Sequence, residues 1–169
     1  MTLQEVKLLH AYNSWASKRL FDALEPLPTD QYLRDMKASH TSIHGTMTHI
    51  VGAQKMWLSR WLGMPDKAFT TTADVPGLAE LKGLWETVGF DTAKFLGTLT
   101  DRKLLETVTM TTSKGEKHLH ILWQTFQHLV DHSSFHRGQV VVLLRQLDVQ
   151  PPATGLIGFY REIGKLEKG

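Results

Sequence analysis

Apolar residues recur at Val6, Leu9, Trp15, Leu20 and Leu24, close to helical period, and Pro26 closes the run. This predicts a long helix over residues 3–24. The stretch LPTDQYLRDM that follows predicts one short helix, capped by Thr29 or Asp30. A second long helix is expected over residues 42–62, stopped by Gly63 and Pro65. Residues 64–76 read as loop. A third long helix covers 78–99, weakened by Gly83, Gly89 and Gly97. The period then changes. ETVTMTTSKGEKHLHI alternates Thr with Val and Met and turns at Ser113-Lys114-Gly115, which predicts a small β-hairpin or extended lid. A fourth long helix runs over 121–147, where Pro151 and Pro152 prevent its continuation, and a short one covers 155–166. Four long helices and one hairpin before the last of them predict an all-α four-helix bundle. The connections are longer than tight turns, so the order of the helices around the bundle stays open.

Length and composition narrow the picture. The 169 residues suit a single domain spanning 1–169 with its own core. With 41% hydrophobic and 21% charged residues the balance is that of a globular chain. A net charge of +2, with the basic residues scattered, gives no footprint for nucleic acid. No apolar run reaches the roughly 18 residues of a membrane span, and the first twenty residues are too polar for a signal peptide. The expected location is the cytoplasm. The absence of cysteine excludes disulfides, thiolate metal ligands and a cysteine nucleophile.

The candidate chemistry lies in the nine histidines. On a helical wheel of about 100° per residue with His128 as origin, Leu122, Leu129, Val140, Leu143 and Leu147 centre the core-facing stripe near 100°. His132 falls at about 40° and His136 at about 80°, so both point into the bundle, while His128 lies at the edge. Imidazoles at i and i+4 stack one turn apart on one surface, where both reach a single metal ion. Buried and unpaired, their nitrogens need partners. Ser133 stands where the Glu of a zincin helix belongs, so a third ligand must come from elsewhere. His49, on the margin of the second helix's apolar face beside small Ala53, is the candidate. Asp131 reads as a solvated carboxylate. Trp15, Trp57 and Trp61 read as packing residues, and Tyr12 and Asn13 as candidate pocket lining. No phosphate loop, nucleophile elbow or paired-carboxylate signature is present.

These residues carry a resemblance. HLVDHSSFHRGQVVVLLRQL, from His128 to Leu147, resembles the signature helix of the DinB/YfiT-like superfamily. THIVGAQKMWLSRWLG resembles its second helix, and Tyr12-Asn13-Ser14-Trp15-Ala16 its opening one. The resemblance implies a four-helix bundle with a triple-histidine metal site, the ligands falling on His49, His132 and His136 and water filling the open positions. It implies a divalent transition metal: zinc or nickel, with iron as a further option. It also implies metal-assisted chemistry on a small-molecule substrate, either hydrolase-like or thiol S-transferase-like with a low-molecular-weight thiol such as mycothiol or bacillithiol, in stress or detoxification. A non-catalytic metal-binding or ligand-binding protein is the alternative. Two positions depart from the family: Asp148 stands where Gly is common, and Ala153-Thr154-Gly155 where an Asp is common.

One surface remains. Val140 to Leu144 is apolar on every side of its helix, and Gly138 lies on the face away from the histidines. Together with the resemblance this predicts a homodimer, or packing of the C-terminal helix on that face.

Overall fold

The computed structural model describes residues 1–64, 69–111 and 115–166. Its elements are α1 (Leu3–Leu24), α2 (Thr29–Leu33), α3 (Ile43–Trp61), α4 (Leu78–Gly97), α5 (Asp101–Leu104), β1 (Thr107–Thr111), β2 (Lys117–Ile121), α6 (Leu122–Gln146) and α7 (Leu156–Leu166). The chain is mostly helical, as the periodicity predicts. Its long helices are α1, α3, α4 and α6.

Caps account for several of the boundaries. The Thr2 hydroxyl accepts from the backbone N–H of Glu5 while the Glu5 carboxylate accepts from that of Thr2, a reciprocal capping box that starts α1. The Ser42 hydroxyl caps α3 by accepting from Gly45 N–H at 2.9 Å. Gly63 ends it with φ +67°, a left-handed turn that costs glycine nothing. The predicted cap of α2 is corrected. Pro28 holds that position with no side-chain hydrogen bond, because Thr29 is already helical. The four-residue α5 was not predicted, being too short to show a period.

α1 packs on α4 and α6, and α3 packs on the same two helices, so α1 and α3 stand diagonally across the bundle. The connection that carries α2 therefore crosses from one corner to the opposite one. It ends beside α3 in the segment that includes His40. The largest core cluster joins Leu20, Phe21 and Leu24 of α1 to Ile43, Met47, Ile50 and Val51 of α3 and to Val140, Leu143 and Leu144 of α6. The hairpin is antiparallel, with Thr107 opposite Ile121 and Thr111 opposite Lys117. Of its predicted turn, Ser113 and Lys114 lie outside the described residues. α7 packs on α1 through Phe159, against Tyr12 and Trp15, with Val130 of α6 at the edge of the same cluster.

Candidate metal centre

α3 and α6 lie side by side, and the histidines predicted to face inward meet between them. The Nε2 atoms of His49 and His132 face each other at 2.9 Å. The ring of His136 lies 4.5 Å from that of His49 and 4.5 Å from that of His132. His132 and His136 thus face α3 as the wheel predicts, and His49 meets them from the margin of its own apolar face. His136 is buried and the other two are half-buried.

A fourth imidazole joins them. His40, in the segment between α2 and α3, stacks on His49 with ring centres 3.9 Å apart and planes 18° from parallel. It meets His136 edge-on at 5.1 Å. Nitrogens of His40, His49 and His136 all lie within 4.8 Å of one another. The set chosen from sequence and this geometric set share His49 and His136 and differ in the third member. His40 was missed because it belongs to no helix, so no period places it.

The cluster favours neutral rings. Burial pushes the His49 imidazole down to about 4, helped by the repulsion it would meet from charged His40, His136 and His132. Burial pushes His132 down to about 4 as well, with His136, His128 and His40 adding to it and Asp131 opposing. His40 is lowered by burial and then by His136. Neutral imidazoles retain the lone pairs that a cation needs.

The donor set fits a transition-metal ion on three observations. First, His136 Nδ1–H donates to the Gln139 side-chain oxygen at 2.8 Å, which fixes its tautomer and leaves Nε2 free. Second, the His136 ring lies 4.5 Å from both His49 and His132, so three imidazoles from two helices share one small volume. Third, the 2.9 Å contact between His49 and His132 is only a few tenths of an ångström tighter than the ~3.3 Å expected of two nitrogens on one tetrahedral zinc.

Two cavities flank the cluster. One, of about 290 Å³, is lined by His40, Thr41, Gly45, Thr48, His49, Phe69 and Thr70 to Thr72. Phe69 lies 5.5 Å from the His49 ring. The other, of about 440 Å³, is lined by Trp57, His120, Trp123, Gln124, Thr125, Gln127 and His128. His128 is exposed and sits edge-on to Trp57, with its ring 6.0 Å from that of His132. It therefore stands beside the cluster, at the edge predicted for it. Trp57 packs with Ala53 and Leu129 and also forms a wall of this second cavity. Trp61 packs, stacking on Phe126 at 4.0 Å. Asp131 is exposed, as predicted.

Tyr12 and Asn13 serve a different purpose from the pocket lining predicted for them. Asn13 Oδ1 accepts from the guanidinium of Arg137, which is only 1% exposed and lies over the Tyr12 ring. Ser134 Oγ accepts from the same guanidinium at 2.8 Å. This buried network ties α1 to α6 next to His136. His44 is a core histidine, its Nδ1 2.9 Å from the Tyr32 hydroxyl.

Comparison with known proteins agrees with the fold. The family model described as "DinB family" matches residues 2–163. The chain is 26% identical to Protein DinB of Bacillus subtilis over 173 residues, covering 95% of each chain. It is likewise 26% identical to the uncharacterized protein YizA of the same organism, covering 87% of this chain and 91% of that one. Among solved structures, a DinB-like protein from Bacillus cereus superposes with a TM-score of 0.67 at 21% identity, covering 90% of this chain and 97% of the other. A protein from Streptococcus pneumoniae follows at 0.58 and 14% identity, covering 88% and 92%.

Proposed function

The chain belongs to the DinB family, and from that premise we propose that His49, His132 and His136 hold a divalent transition-metal ion in a metal-dependent enzyme acting on a small molecule. The observation that carries this reading is the convergence of His49 and His132, neutral rings whose Nε2 atoms face each other at 2.9 Å, with His136 at 4.5 Å from both, between α3 and α6. Imidazole ligands suit zinc or nickel first, with iron also compatible. When bound, such an ion supplies Lewis acidity that activates a water or a low-molecular-weight thiol as nucleophile.

The chain's own residues prepare that chemistry. Gln139 orients His136, and burial keeps His49 and His132 unprotonated at neutral pH. Phe69 and the threonines beyond it give the adjoining cavity one apolar wall and several hydroxyls, a setting for a small electrophile with polar substituents. In the S-transferase form of the reaction, a bond forms between the thiolate sulfur and an electrophilic carbon, and the leaving group departs with the bonding electron pair. In the hydrolase form water takes the place of the thiol. The role we assign to this chemistry is stress response or detoxification in the cytoplasm.

A second reading is a non-catalytic metal-binding or ligand-binding protein. The fourth imidazole favours it, since closed sites are typically structural and catalytic ones keep a position open. We further propose that the chain forms a homodimer through the outer face of α6, where Phe135 and Val142 are exposed on either side of Gly138.

The test is consumption of a small thiol together with an electrophile, and separately ester hydrolysis, by zinc-loaded and nickel-loaded protein beside His49→Ala. Turnover by the wild type that the variant loses supports the enzyme reading. Metal-loaded protein inactive in both assays favours the non-catalytic one.

A further inference from the structure

Building on the metal-centre reading, we infer that His40 is a fourth ligand of the same ion, which closes the coordination sphere at rest and must give way before an exogenous nucleophile binds.

Its position is the first argument. His40 stacks on His49 and meets His136 edge-on, and it offers a nitrogen within 4.8 Å of one on each. Neutral imidazoles brought this close present several nitrogen lone pairs to one small volume, which a single cation can share.

The second argument is that the backbone is built to put it there. Ala38 and Thr41 form an isolated antiparallel bridge, and Met36 N–H donates to Thr41 O at 2.7 Å. Both Lys37 and Thr41 take left-handed conformations, with φ 58° and 63°. That is costly for a residue with a Cβ, and more so for β-branched Thr41. The Thr41 hydroxyl donates to His40 O at 2.7 Å. His40 then lies so close to α3 that a Cβ on Gly45 would fall 1.9 Å from its carbonyl oxygen. Only glycine at 45 lets the segment press onto the helix. Strain, a bridge and a close approach all hold one short segment whose side chain joins the cluster.

The third argument is access. His40 and His49 both line the cavity of about 290 Å³, so a nucleophile entering there meets His40 beside the ion's other ligands. A thiolate, anionic and softer than imidazole, is the kind of donor that displaces it from zinc or cobalt.

Cobalt(II) reports this directly, because its visible bands strengthen and shift as coordination falls from six or five to four. Full-length protein is stripped, loaded with cobalt, and compared among wild type, His40→Ala, His40→Gln and His132→Ala, with circular dichroism to verify folding. 2-Mercaptoethanol is then titrated as the probe thiol. The expected result is intense four-coordinate bands in the wild type and weaker bands in both His40 variants. Zinc affinity in those variants should drop at least about tenfold, no less than removal of an outer-shell partner costs, and the probe thiol should bind them more tightly than it binds wild type. Spectra and zinc affinity unchanged in both His40 variants overturn the inference while leaving the three-histidine site in place. Cobalt retained by His132→Ala but lost by His40→Ala overturns the four-ligand sphere in favour of His40, His49 and His136 alone. No cobalt uptake by folded wild type overturns the inference and the metal-centre reading together.

Discussion

His49 and His132 both have imidazoles held near 4, against an ordinary value of 6.5. Between those limits the unfolded chain binds more protons than the folded one, so stability rises with pH across that window. The metal-free protein should therefore have full stability above pH 6.5 and lose it progressively as pH falls toward 4. Melting temperature followed across this window should show a steeper fall for wild type than for a His49→Gln/His132→Gln variant, and parallel curves would contradict the assignment of neutral rings. Arg137 poses a related problem of burial. Its guanidinium is held by the neutral partners Asn13 and Ser134, and its Nε finds no hydrogen-bond partner among the described residues. Removing one acceptor from a buried cation leaves a charge underpaired, so Asn13→Ala should cost about 2–3 kcal/mol in denaturant unfolding. A loss below about 0.5 kcal/mol would show that the network holds nothing. At this scale the sequence disclosed much of the site. His132 and His136 are one turn apart on a helix whose apolar stripe is unambiguous, and His49 borders the apolar face of another. His40 left only indirect traces: Ser42 as a cap and Gly45 in the first turn, whose meaning depends on a close approach that no pattern along the chain reveals.

At the scale of elements, the long helices were legible because period, caps and stops agree. The start and end of α1 coincide with those expected from its pattern. Where those signals are weak the expectations miss, as at the Pro28 cap and in α5. The departure at Asp148 now has a physical meaning. Val149 N–H donates to Leu144 O at 3.0 Å and Asp148 N–H to Arg145 O at 3.1 Å, the paired closing bonds of a Schellman turn. Asp148 itself sits at φ 56°, a conformation that favours glycine. Asp148→Gly should stabilise the protein by about 0.5–1 kcal/mol. A destabilisation of that size on equilibrium unfolding would mean that the carboxylate makes a compensating interaction.

At the scale of the whole molecule, the diagonal placement of α1 and α3 is what the sequence could not give. Connection lengths permit several orders of helices, and only packing chooses among them. That choice matters for the site, since the crossing connection carries His40 to α3. No helix among the described residues is long and apolar enough to cross a membrane. The outer face of α6 is exposed: Phe135 is 66% exposed and Val142 51%, and among the described residues nothing beyond the helix itself comes within 4 Å of a Cβ placed on Gly138. Phe135 and Val142 stand two turns apart on this face, the side on which we propose that a second copy packs. Sedimentation equilibrium should give twice the chain mass for wild type and the chain mass for Val142→Lys, and a monomeric wild type at high concentration would contradict the dimer.

The account rests on a metal ion between α3 and α6. Plasma mass spectrometry of tag-free protein, wild type beside His132→Ala with folding verified for both, tests it most directly. Near-stoichiometric zinc, nickel or iron in the wild type and its loss in the variant is the predicted result. Wild-type protein that carries no metal and takes up neither zinc nor nickel when they are supplied would contradict it.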